Sequence, residues 1–192
     1  NTLEYHYAPV ELNGASIVIA NTNKKRGLAD SKYNERRNSC EAAVKVLNEN
    51  GINIRNLGDL SIEKFNEVKQ LKRATHAVTE NERTKIAVEK LNSGDVEAFG
   101  KLMNQSHISL RDDYEVTGFE LDSLVEAAWE AKGVIGSRMT GAGFGGCTVS
   151  IIKDEFIDEF IKSVGEKYKT KTGLTDFYVA KIGDGSRKLG DF

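Results

Sequence analysis

Proline is all but missing from this chain of 192 residues: Pro9 is the only one. No repeat, low-complexity tract or linker divides it, so a string of tethered modules is excluded. There are two cysteines, Cys40 and Cys147, too few for a disulfide framework or a cysteine-built metal site, which fits a reducing cytosol. An excess of either charge is missing as well: 27 Lys+Arg oppose 29 Asp+Glu, a formal net charge of −2. A dedicated nucleic-acid binder would carry a basic footprint, so that class is excluded. No apolar run approaches the ~18 residues of a membrane span. The longest, such as Ala15-Ser16-Ile17-Val18-Ile19-Ala20, has the length of a strand. What is present is globular: 39% hydrophobic residues, eight Phe, six Tyr and 29% charged residues. That is enough apolar material for a core in one domain or two small ones. The expectation is a soluble, cytoplasmic protein without nucleic-acid or membrane partners.

The start, Asn1-Thr2-Leu3-Glu4-Tyr5-His6-Tyr7, lacks a Met and a signal segment, and Leu3, Tyr5 and Tyr7 alternate as in a strand already under way. It reads as a fragment of a longer chain. A second strand, Ser16 to Thr22, carries a continuous apolar run that predicts burial on both faces. After the loop Asn23-Lys24-Lys25-Arg26-Gly27, a helix starts near Asp30 or Ser31. Its stripe is Tyr33, Arg37, Cys40, Val44 and Leu47, and Gly51 stops it. Ile62, Phe65 and Leu71 fall in short turns, and a long helix follows from about Arg73 to Leu91. Asp95 caps the next helix, with Val96, Phe99 and Met103 inward, and Arg111-Asp112-Asp113-Tyr114 reads as a charged loop after it. Leu121, Leu124, Val125 and Ala128 mark another helix. Then the period changes to two on either side of a glycine loop: Val134 to Met139, and Cys147 to Ile152. A helix with Ile157, Phe160, Ile161, Val164 and Tyr168 inward and a strand from Phe177 to Ile182 complete the chain. The layout predicts an α+β fold with helices packed on one face of a mostly antiparallel sheet.

The sharpest chemical feature is Thr140-Gly141-Ala142-Gly143-Phe144-Gly145-Gly146. Glycine at this density costs backbone entropy and makes sense where φ must be positive or where a ligand or another backbone comes close. Gly141, Gly143 and Gly146 match the spacing G-x-G-x-x-G, but a strand follows instead of the helix that a dinucleotide fingerprint requires. The phosphate-loop pattern fails too, because Cys147 stands where its lysine should be. A glycine hairpin remains, either a tight turn or the wall of a ligand site. The second cluster, residues 24–37, carries six Lys/Arg against two acids. It reads as a solvated helix start or as a patch for a small anionic substrate. His6, His76 and His107 have no ligand-spaced partners and read as structural, so no metal site is proposed.

Both clusters resemble the galactokinase branch of the GHMP kinases, in its carboxy-terminal half. The resemblance is carried by Asn21 to Arg26, by Ser31-Lys32-Tyr33-Asn34-Glu35-Arg36-Arg37 and by Ser137-Arg138-Met139-Thr140 through Cys147. His76 to Thr84 and Met103 to Val116 fit as well, so nearly all of residues 1–192 are covered. It implies one GHMP kinase C-terminal domain with Tyr33 contacting the sugar. It also implies that Thr140, Gly141, Ala142, Gly143, Phe144, Gly145 and Gly146 lie near the phosphates. That pattern often has Gly where this chain has Ala142. The implied reaction is ATP- and Mg²⁺-dependent phosphorylation of the anomeric hydroxyl of α-D-galactose. The phosphate loop and catalytic Asp of that family are not in this sequence; the resemblance assigns them to an amino-terminal lobe, the expected partner. This half alone is then expected to be inactive, with no catalytic residue of its own. A galactose sensor and an N-acetylgalactosamine kinase remain open on these residues.

Overall fold

A computed structural model gives the structure of the chain and describes residues 7–24, 29–67 and 71–183. The elements run β1 (Ala15–Asn21), α1 (Ala29–Glu49), α2 (Lys72–Asn92), α3 (Val96–Ser109), α4 (Phe119–Trp129), β2 (Val134–Thr140), β3 (Cys147–Lys153), α5 (Ile157–Lys171) and β4 (Asp176–Ala180). The expected strand at Leu3 and Tyr5, His6, the helix-cap side chains of Asp30 and Ser31, and the Phe65 side chain lie outside the described residues.

The four strands form one antiparallel sheet in the order β2-β3-β1-β4. Its register places Val18, Ala20 and Ile152 on one face and Ile17, Val149 and Ile151 on the other. On the first face, Leu124, Ala127 and Ala128 of α4 and Phe160, Val164 and Tyr168 of α5 close the main core. Truncating such a buried Leu or Phe to Ala costs about 2–5 kcal/mol. On the second face α3 leans over β2 and β3 with Phe99 and Met103. The helices α1 and α2 build a separate cluster from Ala43, Leu47, Leu57, Leu60, Ala74 and Val78.

The α+β class and the antiparallel sheet match the expectation from patterning, and three details differ. Helices do not all lie on one face, because α3 packs Phe99 and Met103 against Ile17, Val149 and Ile151 on the second. The apolar run of β1 is not buried on both faces: Val18 and Ala20 are buried while Ile17 and Ile19 are half-buried, because α4 and α5 seal only one side. The segment Arg111 to Tyr114 is not a loop. It continues α3 as one wider helical turn, Leu110–Tyr114, and ends at Glu115 in the left-handed region.

The contact between α3 and β2 is unusually close. A side chain at Gly100 would overlap the carbonyl of Ile135. At that separation α3 side chains reach the free edge of the outer strand β2. Asn104 Oδ1 accepts from the Ser137 amide at 2.8 Å and from Trp129 Nε1 at 2.7 Å. His107 Nδ1 accepts from the Met139 amide at 3.1 Å. Two edge amides that face no neighbouring strand thus find partners on a helix.

Candidate functional site

The glycine loop joins β2 to β3, and five of its residues have positive φ: Gly141 (82°), Gly143 (82°), Phe144 (57°), Gly145 (125°) and Gly146 (89°). Phe144 therefore sits in a left-handed conformation uncommon for a non-glycine residue. At Gly143 a second constraint acts, because a side chain there would overlap the carbonyl oxygen of Val116. The same oxygen accepts from the Phe144 amide at 2.7 Å. The glycine density thus answers partly to the chain itself. The Gly146 carbonyl accepts from the Thr22 amide at 2.8 Å, and Lys24 packs beside Gly145. Thr140, Gly141 and Ala142 form the exposed rim.

The first turns of α1 stand next to this loop. Lys32 Nζ lies 5.3 Å from the centre of the Phe144 ring, a cation–π distance. Tyr33 follows directly and is 60% exposed, available to a ligand as donor or acceptor. The predicted stripe of α1 is rotated. Arg36, Ala43 and Leu47 are buried, whereas Tyr33 and Arg37 face solvent. Buried Arg36 (7% exposed) spreads its guanidinium over backbone carbonyls: Nε donates to Tyr114 O at 2.7 Å and Nη2 to Glu115 O at 2.9 Å. Lys24 is paired with Glu120 at 2.7 Å and Arg37 with Glu41 at 2.9 Å. Much of the charge that read as an anion patch is thus engaged within the chain, and residues 25–28 lie outside the described residues.

Residues 114–116 connect the two clusters. Their carbonyls point to Arg36 from 114 and 115, and to the glycine loop from 116. Glu115 is held left-handed at φ 54°, and hydrogen bonds from Arg73 at 2.7 Å and Lys72 at 3.3 Å bring its carboxyl down to about 2. Burial pushes the Tyr114 phenol up to about 12, with the Cys40 thiol 3.9 Å away adding to the effect. The Tyr114 ring stacks on His76 at 4.6 Å. Ser109 Oγ donates to Asp113 at 2.8 Å and so accepts from His76 Nδ1 at 3.0 Å. Burial, above all, lowers the pKa of His76. A nucleophilic serine would need the histidine as its base; here the hydroxyl proton goes to the carboxylate instead, which makes this chain of groups structural.

Among the described residues, no three His, Cys, Asp or Glu side chains converge to hold a metal ion. A separate apolar cavity of about 360 Å³ lies over the second face of the sheet, lined by Ile17, Phe99, Met103, Val149 and Ile151, with Arg138 and Glu80 beside them. It includes neither Tyr33 nor the glycine loop. The groups at the loop itself are Lys24, Lys32 and the Phe144 ring, and Tyr33 is the next residue after Lys32 on α1. Such groups can hydrogen-bond or ion-pair with a ligand, but none of them is a base suited to proton abstraction.

The structure therefore sets Lys32, the residue before Tyr33, against Phe144 of the glycine loop. Sequence patterning missed Arg36, the 114–116 connector and the clamp of Asn104 and His107. Among the helices no segment is long and apolar enough to cross a membrane, within the described residues.

Comparison with known proteins gives these features a family. The model of the GHMP kinases C terminal family matches residues 87–170. The galactokinase of Fusobacterium nucleatum is 70% identical over 98% of this chain, and that of Clostridium acetobutylicum is 60% identical over the same share. The chain spans about half the length of these curated relatives, 51% and 50% respectively. A crystal structure of Lactococcus lactis galactokinase complexed with galactose superimposes with a TM-score of 0.91, at 49% identity, over 98% of this chain and 50% of that one. The chain thus matches the GHMP kinases C terminal family in residues 87–170 and is similar, over nearly its whole length, to the half of the galactokinases that carries that match.

Proposed function

We propose that residues 1–192 form the carboxy-terminal lobe of a cytoplasmic galactokinase, which transfers the γ-phosphoryl group of ATP to the anomeric hydroxyl of α-D-galactose. One observation carries the reading from the side of this chain: the first turns of α1, with Tyr33, abut the glycine loop through Lys32 and Phe144. The identity of 70% to the Fusobacterium galactokinase over nearly the whole chain supports it.

In this reading the lobe positions and encloses. Tyr33 donates to and accepts from a sugar hydroxyl, fixing the ring relative to the loop. Residues 140–146 wall the phosphate side and exclude water. Lys32 adds positive charge where phosphate oxygens gather, while Lys24 is held by Glu120. Phosphoryl transfer depends mostly on positioning and electrostatic stabilisation, so such a wall contributes without a base of its own. Among the described residues no three His, Cys, Asp or Glu side chains converge to hold Mg²⁺. The phosphate cradle, the base and the metal ligands belong to an amino-terminal lobe of the same gene product, and this half alone is inactive.

The test is ADP release by the complete gene product over a panel of sugars. Galactose-dependent turnover supports the reading. Preference for N-acetylgalactosamine changes the substrate, and galactose binding without turnover replaces the enzyme with a sensor.

A further inference from the structure

The clamp on β2 sits directly beneath the glycine loop. Met139 is the penultimate residue of β2, and its side chain is buried with Leu110, Val116 and Leu121, with Phe144 of the loop packed against them. Its amide points away from β3 to the open edge, where His107 Nδ1 meets it at 3.1 Å. We propose that His107 is a positioning residue for the glycine loop, and that its Nδ1 lone pair holds Met139 in the orientation from which residues 140–146 spring. The kinetic part of this inference rests on the galactokinase reading; the structural part does not.

The imidazole is fully buried at 0% exposure. A leucine would fill much of the same space without burying a polar atom, so what the imidazole adds is one acceptor aimed at one amide. Because Nδ1 accepts, the ring proton sits on Nε2, which faces Asp122 Oδ1 of α4 at 3.2 Å. Neither of those two atoms makes a hydrogen bond, so the carboxylate acts on the ring through its charge at this distance. A carboxylate facing one ring nitrogen fixes the tautomer that leaves a lone pair on the other. Trp129 closes the site, its ring edge-on to the imidazole at 5.6 Å. His107 thus faces a carboxylate of α4 while it holds β2. A change at this residue reaches the loop through a single backbone bond, with Tyr33 untouched.

The experiment compares His107→Asn and His107→Leu in the complete gene product. It reads kcat, the KM for galactose, and hydrogen exchange of the Met139 amide. An Asn carboxamide oxygen takes the place of Nδ1, so kcat stays within about 3-fold of wild type and the amide stays protected. Leu removes the acceptor. Met139 then exchanges faster, and kcat falls roughly 20-fold or more, while the galactose KM stays within about 2-fold. Wild-type kcat in His107→Leu overturns the proposal, as does equal impairment of both variants, which would assign the effect to ring packing. If His107→Leu does not fold, Asp122→Leu decides: a fall in kcat with faster Met139 exchange supports the proposal, and wild-type values overturn it. If the wild-type gene product phosphorylates no sugar, the galactokinase reading fails by itself. The exchange comparison between the two His107 variants then still decides the positioning role.

Discussion

Replacing Gly143 by alanine tests the account of the glycine loop at its most crowded point. Two costs add. At φ 82° alanine is forced into the left-handed region, at about 1–2 kcal/mol. The new methyl would also occupy the position of the Val116 carbonyl oxygen, so the loop must retreat and break the 2.7 Å bond from the Phe144 amide. A lost hydrogen bond with a buried, unsatisfied partner costs about 1–3 kcal/mol. Together these give about 2–5 kcal/mol. For a chain of this length each kcal/mol lowers Tm by about 2–4 °C, so a drop of roughly 10 °C is expected in thermal melts, with a matching shift in urea midpoint. Ala142→Gly is the control. That position is exposed at the rim, and the change costs under about 1 kcal/mol. A Gly143→Ala chain that melts within 1 °C of wild type refutes the close approach between the loop and residue 116.

Three further outcomes follow from the same structure. Tyr33→Phe in the complete gene product raises the KM for galactose roughly 3–10-fold, the worth of one hydrogen bond, and leaves the KM for ATP within about 2-fold; steady-state kinetics with each substrate varied checks this, and an unchanged galactose KM rejects the sugar contact. Gly100→Ala forces α3 off the Ile135 carbonyl and destabilises the chain by at least about 2 kcal/mol, measured by urea denaturation. His76 has a folded-state pKa below its ordinary 6.5, chiefly through burial. The unfolded chain therefore takes up the proton first as pH falls below 6.5. Stability present above that pH is lost on acidification, at no more than about 1.4 kcal/mol per pH unit for one site. Tm measured from pH 7.5 to 5.5 falls less steeply in His76→Gln, and identical slopes contradict the assignment.

Much of this architecture is legible in the residue pattern, and what escapes it has a physical cause. The stripe Leu121, Leu124, Val125, Ala128 and the alternation in Cys147 to Ile152 predict α4 and β3, because one-sided burial writes its period into the sequence. In α1 the same reasoning rotates the helix. It favours apolar residues for the interior, yet the buried side chain is Arg36, satisfied by two carbonyls 78 and 79 residues away. The charged run Arg111 to Tyr114 looks like a loop because its partners, His76, Ser109 and Arg73, lie on other turns and helices. The glycine loop stands out by composition, and the resemblance pairs it with Tyr33. That the obstacle at Gly143 is the carbonyl of Val116 is visible only in three dimensions.

The clamp on β2 also gives the sheet a direction. With the amides of Ser137 and Met139 engaged by α3, and Trp129 donating to the Ser137 carbonyl at 3.1 Å, a foreign strand finds no ladder to join on that side. The opposite border is β4, where Tyr178 and Val179 are exposed. Edge-to-edge association through the described strands would accordingly bring β4 against β4 and then halt, since the far margin of each sheet is already occupied. A polymer needs two adhesive borders, and the described strands offer one.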